Sequence, residues 1–320
     1  MSLQTITGGG SFTKANIAAI NSNFASVGQP DIWVRPQASA GNTGADGTYD
    51  NSFATIAGAL SSRYCVPGKS IGLQGVTLEE IDGPIVNDIT IWGMGNKPRQ
   101  ATTSGVANGG GATWLSPSGG TGTLLGINGQ AWTVGNIYFN NTATGATTAA
   151  IRITGGGDPP LTADGGHTQI LGNVFTGEAN GIYLNGGPGW LKIDGNTFYF
   201  FDSTGDCAIL AGGSGGTGYG SQISNNFFEA NLTHIKALST AYGWRVFGNH
   251  MSYSSGGVTT GVFLDFTGGN QNSIYQNVFD VDSGNVGIAT MFVLGTDPRA
   301  SANVLSTAVT TTQFSWGDPA

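Results

Sequence analysis

One six-residue pattern recurs along the second half of this chain. It reads "ILGNVF" (170–175), "IDGNTF" (193–198), "ISNNFF" (223–228), "VFGNHM" (246–251) and "IYQNVF" (274–279). The asparagines that align lie 23, 30, 23 and 28 residues apart, at Asn173, Asn196, Asn226, Asn249 and Asn277. Similar short segments at intervals of about 20–30 residues are typical of repeat proteins, in which each unit stacks on the next.

A second kind of apolar segment alternates with these motifs. It reads "GIYLNGG" (181–187), "AILAGG" (208–213), "HIKALS" (234–239), "VFLDFTG" (262–268) and "MFVLGT" (291–296). Each unit therefore holds one strand, a glycine-rich connection of variable length, and a strand–turn–strand around the asparagine. No unit shows a helical apolar period, and the pattern of leucine-rich repeats is missing. The repeat predicts a solenoid of short strands.

The Gly-Asn pair of the motif predicts a sharp bend between two strands. Glycine adopts the left-handed backbone region freely, and asparagine does so better than other residues that carry a Cβ. Ile170 and Phe175, on either side of the bend, are predicted to point into the core. Stacked coils place successive asparagines about 4.8 Å apart, so we expect their side-chain amides to form a hydrogen-bonded ladder.

The N-terminal part of the chain shows a second recognisable order of elements. It reads "IWVRPQASAGNTGADGTYDNSFATIAGAL" (32–60), "KSIGLQGVTLEE" (69–80) and "IVNDITIWGMG" (85–95). Together with the repeats, this order resembles the cap and first coils of the right-handed parallel β-helix, or pectin-lyase-like, superfamily. The resemblance covers roughly residues 31–310. It implies an all-β chain, a right-handed parallel β-helix solenoid with a short N-terminal helical leader or cap.

The patterns along the sequence separate three parts of the chain. They are a helical leader over residues 1–30, a cap with the first coils over 31–100, and the β-helix body with its C-terminal strand over 101–320. The superfamily includes lyases, hydrolases, epimerases and non-enzymatic virion proteins, so the resemblance by itself does not select an activity.

The composition is unusually neutral. Charged residues make up 9% of the 320 residues, whereas apolar residues make up 39%, enough for a core; about 25% charged is usual. The formal net charge is −8, and no basic run is present. Because phosphate groups are bound by clustered Lys and Arg, we expect neither nucleic acid nor an anionic membrane surface as a partner.

No cofactor or metal is predicted. A total of only three histidines disfavours a zinc site, and Cys65 and Cys207 are predicted to be free, partly buried thiols. No stretch approaches the ~18 apolar residues of a membrane span, so no insertion is expected. Residues 1–30 lack the pattern of a signal peptide. We therefore expect a chain made and assembled in the cytoplasm, or one trimmed at its N-terminus.

The leader contains a predicted amphipathic helix. In "FTKANIAAINSNFASVG" (12–28), apolar residues from Ile17 to Val27 fall at helical spacing, and Thr13 can cap the start. The segment is similar to helical leaders of phage virion proteins. That resemblance implies a homotrimer that contacts other virion proteins through residues 1–30. The alternative is a helix that only covers the open end of the solenoid.

Strand alternation predicts which side chains face outward after each bend. If the second residue after the asparagine faces inward, the first and third face outward. Glu229, His250 and Asp280 then cluster on one outer face, with two coils, roughly 9–10 Å, between Glu229 and Asp280. Inverting glycosidases place their carboxyl groups about 6.5–9.5 Å apart. These three residues are the catalytic candidates, and the alternative is a solvated or sugar-contacting face.

Other outward residues are candidates for carbohydrate binding. Lys192 and Arg245 are predicted to face outward on the strand before the bend, two coils apart. Tyr199 and Tyr275 can stack their rings on sugars. No cluster of Arg or Lys with adjacent Asp appears, so the constellation usual in pectate lyases is not visible.

Two functions therefore remain open. The first is a phage virion structural protein, such as a tail spike, tail fibre or capsid decoration, that contacts host surface glycans through the outer face of the β-helix. The second is a polysaccharide-degrading glycoside hydrolase or lyase, which would be secreted unless it belongs to a tail spike. A surface-adhesion or self-assembling scaffold is a third reading. The missing signal-peptide pattern and the neutral surface, rich in Ser, Thr and Asn, favour the virion function, because secreted pectin-degrading enzymes need export. The feature that discriminates the two functions is a set of converging carboxylates, for which Glu229 with Asp280 is the only candidate.

Overall fold

The structure is a computed structural model. It describes residues 29–36, 44–95, 111–155, 165–202, 205–213, 218–238, 241–253, 261–267, 269–281, 292–293, 295–307 and 311–316. The predicted leader helix therefore lies outside the described residues, and residues 1–30 as an attachment segment stay a prediction. So does the division of the remaining chain at residue 100.

Each coil of the chain contributes strands to three parallel stacks, which we call sheets A, B and C in chain order. Sheet A, before the bend, holds Ile32–Val34, Ser70–Leu73, Thr90–Gly93, Thr133–Gly135, Gln169–Leu171, Lys192–Asp194, Gln222–Ser224, Arg245–Phe247 and Ser273–Tyr275. Sheet B, after the bend, holds Val76–Leu78, Ala112–Leu115, Ile137–Asn141, Val174–Gly177, Thr197–Tyr199, Phe227–Glu229, His250–Tyr253 and Val278–Val281.

Sheet C contains eight strands and includes all five segments of the second predicted type. Its strands are Ile81–Asp82, Leu125–Ile127, Ala149–Thr154, Asn180–Asn185, Ile209–Gly212, Thr233–Ala237, Val262–Asp265 and Phe292–Val293. Short parallel strands Gly218–Tyr219 and Ala241–Tyr242 lie at the corner between sheets C and A. The long strand Arg299–Thr307 completes sheets A and B, and Thr311–Trp316 pairs with it antiparallel.

Within sheets A, B and C, each strand pairs in parallel with the equivalent strand of the next coil, as in Ile170 with Ile193 and Phe175 with Phe198. This pairing establishes the parallel β-helix and confirms the predicted fold class. One helix, Ile56–Leu60, lies near the first coils, where Thr55 caps it by accepting from the Gly58 N–H. None of the described residues forms a helix that could traverse a bilayer.

The core consists of columns that run along the solenoid. Sheet A contributes an aliphatic column that includes Ile170, Ile193 and Ile223, all fully buried. Sheet B contributes a stack of rings with centroids 4.9–5.6 Å apart, formed by Trp114, Phe139, Phe175, Phe198 and Phe228. The predicted inward positions of Ile170 and Phe175 are confirmed. Cys65 and Cys207 are both free and buried, as predicted.

The asparagines form the predicted ladder at the corner between sheets A and B. Asn226 Nδ2 donates to Asn249 Oδ1 at 3.0 Å and to the Ile193 carbonyl at 3.0 Å. Its Oδ1 accepts from the backbone N–H and the Nδ2 of Asn196. The same side-chain bonds, 2.9–3.1 Å long, join Asn173, Asn196, Asn226, Asn249, Asn277 and Asn303. Asn303 is one rung more than the motif predicts.

The bend itself differs from the prediction. The left-handed residue is the one before each ladder asparagine: Gly172, Gly195, Asn225, Gly248, Gln276 and Ala302 have φ between 53° and 66°. The ladder asparagines point inward and are at most 2% exposed. The Asn is therefore selected for its buried amide, which needs partners, and the residue before it supplies the backbone turn.

Each of these coils has a second left-handed residue, five positions before a left-handed residue at the corner between sheets A and B. The earlier residues are Ala131, His167, Trp190, Gly220, Gly243, Gln271 and Asp297. The later ones, in the same order, are Asn136, Gly172, Gly195, Asn225, Gly248, Gln276 and Ala302. The earlier set, from Ala131 to Asp297, lies at the corner between sheets C and A. The two bends bracket every sheet A strand from Thr133–Gly135 onward and hold it to a constant length, while the other connections vary.

His234 is a fully buried imidazole at the corner between sheets B and C. Asn231 Nδ2 lies 3.1 Å from its Nδ1, and because an amide nitrogen only donates, Nδ1 accepts and the proton lies on Nε2. The ring stacks on Tyr253 at 4.6 Å and lies 5.6 Å from Phe228. Among the described residues, Nε2 has no hydrogen-bond partner. Burial lowers the pKa of His234 to about 3.

The ladder predicts that two neighbouring asparagines contribute very differently to the free energy of unfolding. Asn226→Ala removes the side-chain bonds between this amide and Asn196, Asn249 and the Ile193 carbonyl, while the backbone N–H at position 226 still donates to Asn249 Oδ1. We expect it to lower the free energy of unfolding by about 3 kcal/mol. Asn225→Gly, at the exposed left-handed position, should change it by less than about 1 kcal/mol. Urea unfolding of both variants checks this, and equal losses would contradict the assignment of roles.

His234 predicts a pH dependence of stability. Because its folded pKa is about 3 and its ordinary value is 6.5, only the unfolded chain binds this proton in between. Stability is full above pH 6.5 and falls, by up to about 1.4 kcal/mol per pH unit, as the pH drops toward 3. In His234→Phe, the free energy of unfolding should depend less steeply on pH between pH 7 and pH 4.5. The control His167→Gln leaves the buried imidazole of His234 in place, so we expect it to keep the slope of the natural chain. An unchanged slope in His234→Phe would contradict the burial argument.

Candidate sugar-binding face

The outward side of sheet B presents two neighbouring columns, as the alternation predicts. One column joins Thr197, Phe227, His250 and Val278, and the other joins Tyr199, Glu229, Ser252 and Asp280, each paired in register with the next coil. The ladder asparagine precedes both columns in each coil, so its hydrogen bonds fix which side chains become neighbours. The registers place Glu229, His250 and Asp280 on one outer face, as predicted.

Three rings follow one another over these columns, with a diagonal step from Tyr199 to Phe227 and a step within one column from Phe227 to His250. Tyr199 meets Phe227 edge to face at 6.0 Å, and Phe227 meets His250 edge to face at 5.1 Å. Phe200, 44% exposed and left-handed at φ 59°, lies 5.9 Å from Tyr199. Edge-to-face pairs are a favourable arrangement of aromatic rings. The result is a continuous aromatic row over three coils, which we call the sheet B row.

Carboxylates flank the sheet B row. Glu229 lies in register with Tyr199 on one side and Ser252 on the other, and Asp280 follows Ser252. Glu229 and Asp280 are therefore two coils, about 9–10 Å, apart along the solenoid. His250 Nε2 lies 4.0 Å from Asp280 Oδ2, and both side chains are nearly half exposed. Such a solvated pair contributes little to stability.

Tyr199 is electrostatically coupled to this carboxylate edge. Partial burial raises the pKa of its phenol, and the negative charge of Glu229 raises the pKa further. The phenol is therefore protonated at neutral pH and can donate a hydrogen bond. Tyr199 offers both a ring and a donor, next to carboxylate acceptors.

The other residues predicted to bind carbohydrate lie on sheet A, on the far side of the corner that holds the asparagine ladder. Lys192 and Arg245 occupy one column two coils apart, as predicted, and Lys192 Nζ lies 3.8 Å from Asp194 Oδ2. Tyr275 stacks in parallel on Phe247 with centroids 5.0 Å apart. The structure thus separates Tyr199 from Lys192, Arg245 and Tyr275, which share a different face.

Two aromatic residues of these faces, Phe227 and Phe247, are not among the residues predicted to bind carbohydrate. Phe227 contacts the ring of Tyr199, and Phe247 stacks on the ring of Tyr275. In "ISNNFF" the alternation was enough to find Phe227, because Phe228 faces inward and the preceding residue must face outward. Among the described residues, no group of three or more His, Cys, Asp or Glu is arranged to hold a metal ion.

Comparison with known proteins gives matches among solved structures alone. No family model and no curated protein matches the chain. It is similar to a pectin methylesterase solved with a hexasaccharide, at 12% identity over 89% of this chain and 91% of that one, with a TM-score of 0.37. It is also similar to the DFA-IIIase of Arthrobacter chlorophenolicus A6 solved with GF2, at 14% identity over 91% of this chain and 63% of that one, with a TM-score of 0.30.

Proposed function

We propose that this protein binds polysaccharide along the outer surface of sheet B. The observation that carries the proposal is the sheet B row, in which Tyr199, Phe227 and His250 form continuous ring contacts across three coils beside Glu229 and Asp280. Sugars present apolar C–H faces and a rim of hydroxyl groups. Rings pack against the faces, and carboxylates, the Tyr199 phenol and the Ser252 hydroxyl pair with the rim.

The electrostatics support a sugar over a charged polymer. Two carboxylates, Glu229 and Asp280, flank the sheet B row, and no lysine or arginine belongs to it. This arrangement disfavours anionic ligands such as nucleic acid. It follows the solenoid axis from coil to coil at about 4.8 Å per step, which suits an extended chain of sugars. This function agrees with the virion reading of the sequence, in which the outer face contacts host glycans.

A second candidate function is hydrolysis of the bound glycan. The two-coil separation of Glu229 and Asp280 leaves space for a water molecule between carboxyl groups, as in inverting glycosidases. His250, 4.0 Å from Asp280, would then orient that carboxylate. Attachment to a virion through residues 1–30, a homotrimer and the virion location stay predictions from the sequence.

Binding predicts a distinct set of losses. Tyr199→Ala and Phe227→Ala should each weaken binding to the preferred polysaccharide by about tenfold, the equivalent of one lost ring contact of about 1.4 kcal/mol. Leu78→Ala is a matched control, because Leu78 is an exposed apolar residue of the same sheet in a distant coil. A panel of bacterial surface and plant polysaccharides, read by affinity electrophoresis, checks this. Equal affinity in all four proteins would refute the site.

The two candidate functions separate on product formation. If the protein only binds, incubation with the polysaccharide it prefers releases no reducing ends, and Glu229→Gln and Asp280→Asn alter affinity alone. If it is a hydrolase, the natural chain releases reducing ends and both variants lose that release by about 100-fold or more while binding persists. We expect the first result; the second would transfer the assignment to an inverting glycosidase.

A further inference from the structure

A second group of aromatic residues lies at the corner between sheets C and A, separate from the sheet B row. It consists of His167, Trp190, Tyr219 and Tyr242, in four successive coils, which we call the corner row. The Trp190 N–H donates to the Tyr219 carbonyl, and Tyr219 pairs in register with Tyr242. A sheet A strand of three residues, about 10 Å long, lies between this corner and the ladder.

Three members of the corner row, His167, Trp190 and Tyr219, are exposed to solvent, and Tyr242 is half-buried. Trp190 is 61% exposed and Tyr219 is 49% exposed, the former being one of the largest apolar side chains on the described surface. His167 stacks on Trp190 with an interplanar angle of 8° and centroids 6.5 Å apart. Tyr219 meets Tyr242 edge to face at 5.2 Å. Four rings thus form two linked pairs along one edge of the solenoid.

The backbone at Trp190 shows that the corner does not need an aromatic residue. Trp190 and His167 have φ of 58° and 60°, in a column where Gly220 and Gly243 adopt 65° and 63°. Glycine adopts this region freely, whereas a bulky residue there is strained. Ala131, Gln271 and Asp297 adopt the same conformation at this corner in other coils. The turn therefore belongs to the corner whatever the side chain, and it does not by itself account for the exposed indole of Trp190.

The neighbouring coil is adapted to the indole. A Cβ on Gly220 would lie 2.6 Å from the ring of Trp190, so glycine is required there for the ring to occupy its position. The Tyr242 hydroxyl donates to Gln271 Oε1 at 2.7 Å, which adds an exposed amide beside the rings. Rings, a phenol and an amide form one polar and aromatic strip without a lysine, arginine or carboxylate among its members.

From this arrangement we propose that the corner row is a second binding site, and that its ligand is an uncharged oligosaccharide. None of the members of the corner row is a lysine, an arginine or a carboxylate, so the row offers no fixed charge to pair with an ionic group. Its amide and phenol groups match sugar hydroxyls, and its rings match the apolar faces of sugars. Four coils at about 4.8 Å span roughly 14 Å, longer than a single sugar. The proposal stands independently of the sheet B row.

The test uses the full chain with Trp190→Gly, which removes the ring and relieves the left-handed strain. The probes are cellohexaose, maltohexaose and chitohexaose together with an array of other uncharged oligosaccharides. We expect at least tenfold weaker binding of the best uncharged ligand, with a melting temperature within a few degrees of the natural chain. Tyr219→Ala, at an exposed position of the same row, should weaken the same ligand if Trp190→Gly folds poorly.

Tyr199→Ala is the matched variant in the sheet B row. Loss of an uncharged ligand in Trp190→Gly but not in Tyr199→Ala supports the corner row as a site of its own. Loss only in Tyr199→Ala overturns the corner row and leaves the sheet B proposal standing. Unchanged binding in Trp190→Gly and Tyr219→Ala, or no uncharged ligand for the natural chain, also overturns it.

Discussion

The hydrogen-bonded asparagine ladder is the interaction on which the rest of the structure depends. Each ladder amide is buried, and each finds its partners only when the coils above and below are in register. A slip of one residue would bury unsatisfied amides and turn the ring stack of sheet B toward solvent. The ladder therefore fixes the order of the core columns and of the outer columns together.

The shared register also builds the outer face on which the proposed function rests. The hydrogen bonds that align Asn196, Asn226 and Asn249 also bring Tyr199, Phe227 and His250 into contact, although 51 residues of sequence separate Tyr199 from His250. The same stacking repeats aromatic positions along an edge, which explains why two separate rows of rings occur on one solenoid.

The fold and the outer columns were predictable because they follow from short-range rules. A recurring Ile–x–Gly–Asn–x–Phe pattern identifies the coil, and a period of two assigns Phe175 inward and Glu229 outward. The bend at the C–A corner was not predictable, since Ala131, Trp190 and Gly243 share a backbone conformation but no side-chain chemistry. Asn303 escaped the motif because Ala302 stands where most other rungs have glycine or asparagine. Contacts between coils, such as Phe227 with His250, needed the registers.

The most direct test is a crystal structure of the full chain with its preferred polysaccharide fragment bound. The account predicts sugar rings against Tyr199 and Phe227, with the glycan running from coil to coil along sheet B and carboxylate oxygens of Glu229 or Asp280 at its hydroxyl groups. A glycan bound only on the outer surface of sheet C, with the sheet B row empty, would contradict it.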